Sequence, residues 1–158
     1  MAQVKTNAMR ILDKDKIDYE VLTYDNKDGK IDGVSVACKI GKDVKIVYKT
    51  LVTQGNSKEF YVFVIPVEAE LDLKKGARAS GEKKIEMIHV KDINKNTGYI
   101  RGGCSPIGMK KLYKTFIHSD AEELDNIIIS GGKIGIQIEL NPKELLKVVN
   151  GTFFDVIK

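Results

Sequence analysis

The sequence predicts an α+β fold. Three observations carry that reading. Short apolar runs rich in β-branched residues recur along the whole chain, as in Val44–Thr53, Glu59–Ile65 and Ile127–Ile129. Helix-patterned segments with recognisable caps lie between them. The two kinds of segment follow one another without the steady strand–helix–strand rhythm of a parallel α/β sheet.

Taken in order, Thr6 predicts an N-cap for a helix through about Lys14, with Met9, Leu12 and Ile11 turned inward. Tyr19–Tyr24 alternates as a strand, and Asp25-Asn-Lys-Asp-Gly29 breaks it. Gly33–Ile40 reads as a short helix stopped by Gly41. Val44–Thr53 and Glu59–Ile65 form a hairpin about the turn Gln54-Gly-Asn-Ser57. Glu70–Ala79 has helical composition and ends at Gly81, Ile85–His89 is a short strand, and Lys91–Asn96 is a helical turn. Thr115–His118 and Ile127–Ile129 are strands around the acidic turn Asp120-Ala-Glu-Glu123, and Gly135–Leu140 is another. Asn141 at the N-cap and Pro142 at the first helical position open a helix over Lys143–Val149. Gly151 ends it, and Phe153–Ile157 closes the chain as a strand.

No linker, low-complexity stretch or internal repeat interrupts these elements, so residues 1–158 read as one domain. A chain of 158 residues buries about 70% of its unfolded surface, enough for a real core. The net charge is +4, and lysine supplies 23 of the 26 cations, a mild bias compatible with an RNA partner or with a solvated lysine-rich surface. Cys38 and Cys104 are too few and too far apart for a disulfide framework or a zinc site. With no apolar run long enough to span a bilayer and no leader-like start, the chain reads as cytoplasmic with reduced thiols and no membrane partner.

The stretch that organises the rest is Thr97-Gly-Tyr-Ile-Arg-Gly-Gly-Cys-Ser-Pro-Ile-Gly108. A β-prone pair, Tyr99-Ile100, leads into Arg101 and the glycines. Gly102 and Gly103 can take positive φ and expose backbone N–H groups, while Pro106 stiffens the loop and extends Ser105. Such amide concavities suit phosphate or carbonyl oxygens. An ordinary glycine-rich turn between strands would read the same way. Upstream, Lys49-Thr50-Leu51-Val52 ends an apolar run, and downstream Ser130-Gly131-Gly132-Lys133 follows Ile127–Ile129.

KTL, then GGxSPxG, then SGG, in this order and at these separations, resemble the YbaK/EbsC family of free-standing aminoacyl-tRNA deacylases, relatives of the editing domain of prolyl-tRNA synthetases. The resemblance runs from about Lys5 to Val156. It implies a strongly curved, barrel-like mixed sheet flanked by helices. It also implies trans-editing hydrolysis of a mischarged aminoacyl-tRNA at its 3′ end, most closely cysteinyl-tRNA(Pro), with prolyl-tRNA synthetase as a partner. A deacylase for alanine or another small amino acid, or a non-catalytic tRNA- or synthetase-binding module, are the alternatives.

In the cysteinyl branch the resemblance implies substrate-assisted chemistry, in which the substrate thiol attacks its own aminoacyl carbonyl. The protein then supplies a cation, hydrogen-bond donors and a tight pocket. Lys49 is the implied cation, with backbone N–H groups of Gly102 and Gly103 and the Ser105–Pro106 segment as donors and wall. Thr50, Ser130, Gly131 and Tyr24 are the further substrate contacts. No cofactor is implied, and no HExxH, CxxC or aspartate cluster marks a metal site. His89 and His118 lie outside the motifs and read as structural. Cys104 stands where relatives usually carry an aliphatic residue, and Gln137 where some carry an acid.

Overall fold

Thr6 opens the first helix. Its side-chain oxygen accepts from the Met9 N–H, and α1 (Asn7–Lys14) buries Ala8, Met9 and Leu12 against the sheets. A computed structural model describes residues 5–158. After β1 (Glu20–Thr23), Asp32 caps α2 (Gly33–Ile40) through the Ser35 N–H, and Gly41 stops it in the left-handed region at φ 68°. The hairpin follows as β2 (Tyr48–Gly55) and β3 (Phe60–Pro66). Then come α3 (Leu73–Ser80), β4 (Ile85–Met87), α4 (Val90–Thr97) and the long signature loop. The chain continues with β5 (Lys114–His118), a 3₁₀ turn over Ser119–Glu123, β6 (Ile127–Lys133) and β7 (Ile136–Leu140). It closes with α5 (Pro142–Val148), capped by Asn141, and β8 (Thr152–Phe154).

The strands build two sheets. One is antiparallel in the order β1–β7–β6; the other is mixed in the order β4–β2–β3–β5–β8, with β3–β5 and β5–β8 parallel. A single parallel bridge between Val47 and Ile128 joins them edge to edge. The expected α+β class stands, and the barrel-like wording needs adjusting: the strands form two joined sheets that do not close.

Local chemistry explains where elements differ from expectation. Val44–Ile46 does not extend the hairpin, because Asp43 turns the chain: its carboxylate accepts from the Lys45 N–H and its carbonyl from the Ile46 N–H. Helix α3 starts at Leu73 rather than Glu70, since Asp72 accepts from both Lys74 and Lys75 N–H groups. The β-prone Tyr99-Ile100 is not a strand, because Thr97 Oγ1 accepts from the Tyr99 N–H and the Ile100 carbonyl from Gly103. The closing strand is the short β8, followed by one bridge between Leu71 and Ile157.

Core residues hold these layers. Met9, Leu12, Tyr48, Ile117, Ile127, Ile129, Ile138 and Leu145 fill the space between α1, α5 and the sheets. A second cluster packs α3 on Phe63, Ile65, Ile85 and Phe116, with the two phenylalanine rings stacked at 5.4 Å. Each fully buried side chain of this size contributes roughly 1.5–3 kcal/mol. A third, smaller cluster of Ala37, Val47, Val67 and Ile128 pins α2 over the bridge between the sheets. No helix among the described residues is long and apolar enough to cross a membrane.

Candidate active site

The candidate cavity opens where the two sheets part. At the bridge the Ile128 N–H donates to the Ile46 carbonyl at 2.8 Å. Immediately beyond it β2 and β6 diverge, leaving a cavity of about 680 Å³. Its walls are Lys49 and Thr50 of β2, Ser130 of β6, Gln137 of β7, the start of α2 at Asp32, and Arg101, Gly102 and Cys104 of the signature loop. The three sequence motifs therefore meet at one place, each bringing one wall.

The two loop glycines do different work. Gly102 sits at φ +85°, and a Cβ there would meet Ile31 Cδ1 at 2.6 Å. Gly102 lines the cavity, and its N–H has no acceptor among the described residues. Gly103 is needed for close approach instead: a Cβ would stand 2.9 Å from the Ile134 backbone nitrogen. Its N–H donates to the Ile100 carbonyl at 3.0 Å, so it is not available to a substrate, contrary to the sequence expectation. Ser105 is fully buried, and its hydroxyl accepts from the Ile107 N–H at 3.2 Å. Pro106 is buried under the loop. Both shape the loop from behind and neither lines the cavity, because the turn that Ser105 closes faces the core. Tyr99 anchors the same segment by donating its hydroxyl to the Ile107 carbonyl.

Lys49 is half-buried in the cavity wall. Burial holds its pKa below the ordinary lysine value, opposed by the more distant Glu70 carboxylate. No carboxylate lies within 4.0 Å of it among the described residues. Arg101 is exposed at the same cavity and likewise unpaired among the described residues. The carboxylate of the lining belongs to Asp32, whose oxygens cap α2 by accepting from Ser35 N–H and Oγ–H. These bonds from Ser35 hold its pKa below the usual range. Gln137 forms a buried, neutral floor beside Ser130, its partner across the β6–β7 ladder. Thr50 Oγ1 is buried without a hydrogen-bond partner.

Two other expected contacts lie outside the cavity lining. Gly131 is buried beneath Ser130, and its carbonyl accepts from Thr6 Oγ1 at 2.6 Å. Tyr24 stands beside Lys39 instead. The Lys39 ammonium lies 5.8 Å from its ring centroid and ties down the loop bordering the cavity, donating to the Asp25 and Lys30 carbonyls and to Asp28. Arg101 and the α2 start were not singled out from sequence as site residues. The arginine's place beside the glycine pair was the available signal.

Among the described residues, nothing in the cavity forms a nucleophile–base pair. Burial pushes the Cys104 thiol up to about 11, so it stays protonated near neutrality. His118 is buried elsewhere, its Nδ1 accepting from Val156 N–H and its Nε2 3.2 Å from Asp120. His89 lines a different surface depression. Among the described residues, no group of three His, Cys, Asp or Glu side chains is placed to hold a metal. What the cavity offers is a half-buried cation, a loop glycine whose N–H is unpartnered among the described residues, and a neutral floor. That set stabilises charge on an oxygen without supplying a nucleophile.

The sequence profile of the aminoacyl-tRNA editing domain matches residues 32–148. This chain belongs to that family. The editing domain is also 47% identical over 154 residues to an Enterococcus faecalis protein provisionally named Cys-tRNA(Pro)/Cys-tRNA(Cys) deacylase EbsC, covering 98% of this chain and 94% of that protein. Solved structures share the fold at lower identity. A candidate trans-editing enzyme for prolyl-tRNA synthetase superposes with TM-score 0.79 at 22% identity, over 89% of this chain and 87% of the other. The protein described as hypothetical protein APE2540 superposes with TM-score 0.86 at 18% identity, over 94% and 97%.

Proposed function

We propose that this editing domain hydrolyses the ester linking a wrong amino acid to tRNA, with cysteinyl-tRNA(Pro) as its principal substrate. The observation that carries the reading is the convergence of Lys49, Gly102 and Ser130 on one cavity that, among the described residues, holds no protein nucleophile with a base. Identity of 47% to the EbsC protein along nearly the whole chain supports cysteine as the amino acid.

The chemistry follows from what is present. The substrate thiol, once deprotonated, attacks the aminoacyl carbonyl carbon. An S–C bond forms, the C–O bond to the 3′ oxygen breaks, and that oxygen leaves with a proton. The cyclic thioester then takes up water to give free cysteine. Lys49 and Gly102 N–H stabilise the negative charge that develops on oxygen, and the walls hold the short side chain against its own carbonyl. A cavity of about 680 Å³ accommodates an aminoacylated terminal nucleoside and little more. Choice of tRNA therefore lies outside it, which supports a synthetase partner, prolyl-tRNA synthetase, acting in the cytoplasm.

The test is release of amino acid from a panel of tRNAs at catalytic protein concentration, with cysteinyl- and alanyl-tRNA(Pro) compared first. Multiple-turnover release of cysteine supports the reading. Release of alanine alone selects a small-amino-acid deacylase, and binding without release makes the domain a tRNA-binding module.

A further inference from the structure

The wall that carries Lys49 is the open edge of a strand. Ladder register is unbroken from Tyr48 to Gln54, so main-chain groups alternate in direction along β2. Hydrogen bonds on either side of the cavity fix the phase. Val47 accepts from Val67 and Gly55 donates to Glu59, so odd-numbered residues face β3. Ile46 accepts from Ile128, Val52 accepts from Ile88, and Asn56 donates to Lys84, so even-numbered residues face the other way. Thr50 therefore turns both its N–H and its C=O away from β3. On that side β4 pairs only from Thr53 to Gly55, and β6 only at Val47. The edge between them faces the cavity. Thr50 belongs to no ladder on this side among the described residues, and its Oγ1 is buried without a hydrogen-bond partner.

We propose that this edge holds the aminoacyl group of the substrate as a one-residue antiparallel strand paired with Thr50. The inference rests on the deacylase reading above. An α-amino ester carries an acceptor, its carbonyl oxygen, and a donor, its ammonium, on adjoining carbons. Those are the groups that a residue in a hydrogen-bonded antiparallel pair exchanges with its partner. The Thr50 N–H donates to the ester carbonyl oxygen, and the Thr50 carbonyl accepts from the ammonium. Charge in the cavity favours a main-chain acceptor. Lys49 and Arg101 are cations, the Asp32 carboxylate is occupied by Ser35, and Gln137 is neutral. Directly opposed residues project their side chains to the same face, so the substrate side chain lies beside that of Thr50. Thr50 joins Gly102 as a catalytic main-chain donor.

The test replaces single backbone amides with esters, using α-hydroxy acids incorporated in the full chain. At Thr50 this removes the N–H and keeps the side chain. We expect kcat for cysteinyl-tRNA(Pro) to fall about 100-fold, the loss seen when one oxyanion donor is removed, with a smaller drop in melting temperature than loss of a ladder N–H causes, because the ester carbonyl left at Lys49 still accepts from β3, more weakly. The same replacement at Thr53, whose N–H faces β3, lowers the melting temperature and leaves kcat of the folded protein unchanged. Thr50→Pro, which also lacks the N–H at an unpaired edge, gives a second route to the same loss. A Thr50 ester variant whose kcat stays within about threefold of wild type, a smaller change than one donor should give, overturns the edge-pairing proposal alone. Wild-type protein inert toward every aminoacyl-tRNA overturns the deacylase reading on which it rests.

Discussion

Replacing Lys49 by methionine should separate the cost of its charge from its use. The side chain is half-buried in a cavity wall, and its pKa is held down by burial. The unfolded chain therefore binds the extra proton between the lowered folded pKa and the ordinary value of 10.5, and stability rises with pH across that window. Near neutrality the buried ammonium costs stability, and Lys49→Met, similar in length and apolar, removes that cost. Activity should move the opposite way. A unit charge about 4 Å from a developing oxyanion is worth roughly 4 kcal/mol at an effective dielectric near 20. Partial exposure and the remaining Gly102 donor reduce this, so kcat/KM should fall about 100- to 1,000-fold. The assay is single-turnover deacylation of cysteinyl-tRNA(Pro), paired with a thermal melt of both proteins. A variant that melts at or above the wild-type temperature and loses this activity fits the account. A variant within about fivefold of wild-type kcat/KM, far short of a lost charge-assisted contact, refutes the role of Lys49.

The remaining predictions concern the same cavity. The rate above uncatalysed ester hydrolysis should decline on the alkaline side below the ordinary lysine value of 10.5, as the burial-lowered Lys49 loses its proton; a corrected rate still climbing through about pH 10 contradicts this. Cys104→Ala should keep at least about half of kcat/KM, because a thiol pushed up to about 11 packs rather than attacks; an inactive, folded variant together with a wild-type covalent adduct in the mass spectrum would show the opposite. Gly103→Ala should cost about 1–3 kcal/mol in urea denaturation, since its Cβ meets the Ile134 backbone nitrogen at 2.9 Å rather than a side chain that can move.

Much of this molecule is legible in its sequence where local chemistry decides. Thr6 and Asn141 each cap the helix they introduce, and Gly41 and Gly81 each end one in the left-handed region. The motif residues Lys49, Thr50, Gly102 and Ser130 come from separate segments and line one cavity. What was not legible is the direction each motif member takes. Ser105 faces inward because of its bond with the Ile107 N–H, and Gly103 spends its N–H on Ile100. Gly131 faces Thr6, and Tyr24 stands under Lys39. A motif gives residue types and spacing, but it does not say which member points at the cavity and which supports it from behind. The open edge of β2 is similar: it exists only because β4 pairs too late and β6 parts too early to cover Thr50.

The central claim is that the substrate provides the nucleophile and the protein provides the charge and the confinement. The most direct measurement compares two amino acids of nearly the same size on the same tRNA(Pro): cysteine, and 2-aminobutyrate, in which a methyl replaces the thiol. Both fit the cavity and offer the same ammonium and ester to its walls. The account predicts cysteine release at least about 100-fold faster, because the intramolecular attack is available to cysteine alone. Equal rates for the two esters would show that water, activated by the protein, is the nucleophile, and would contradict the account.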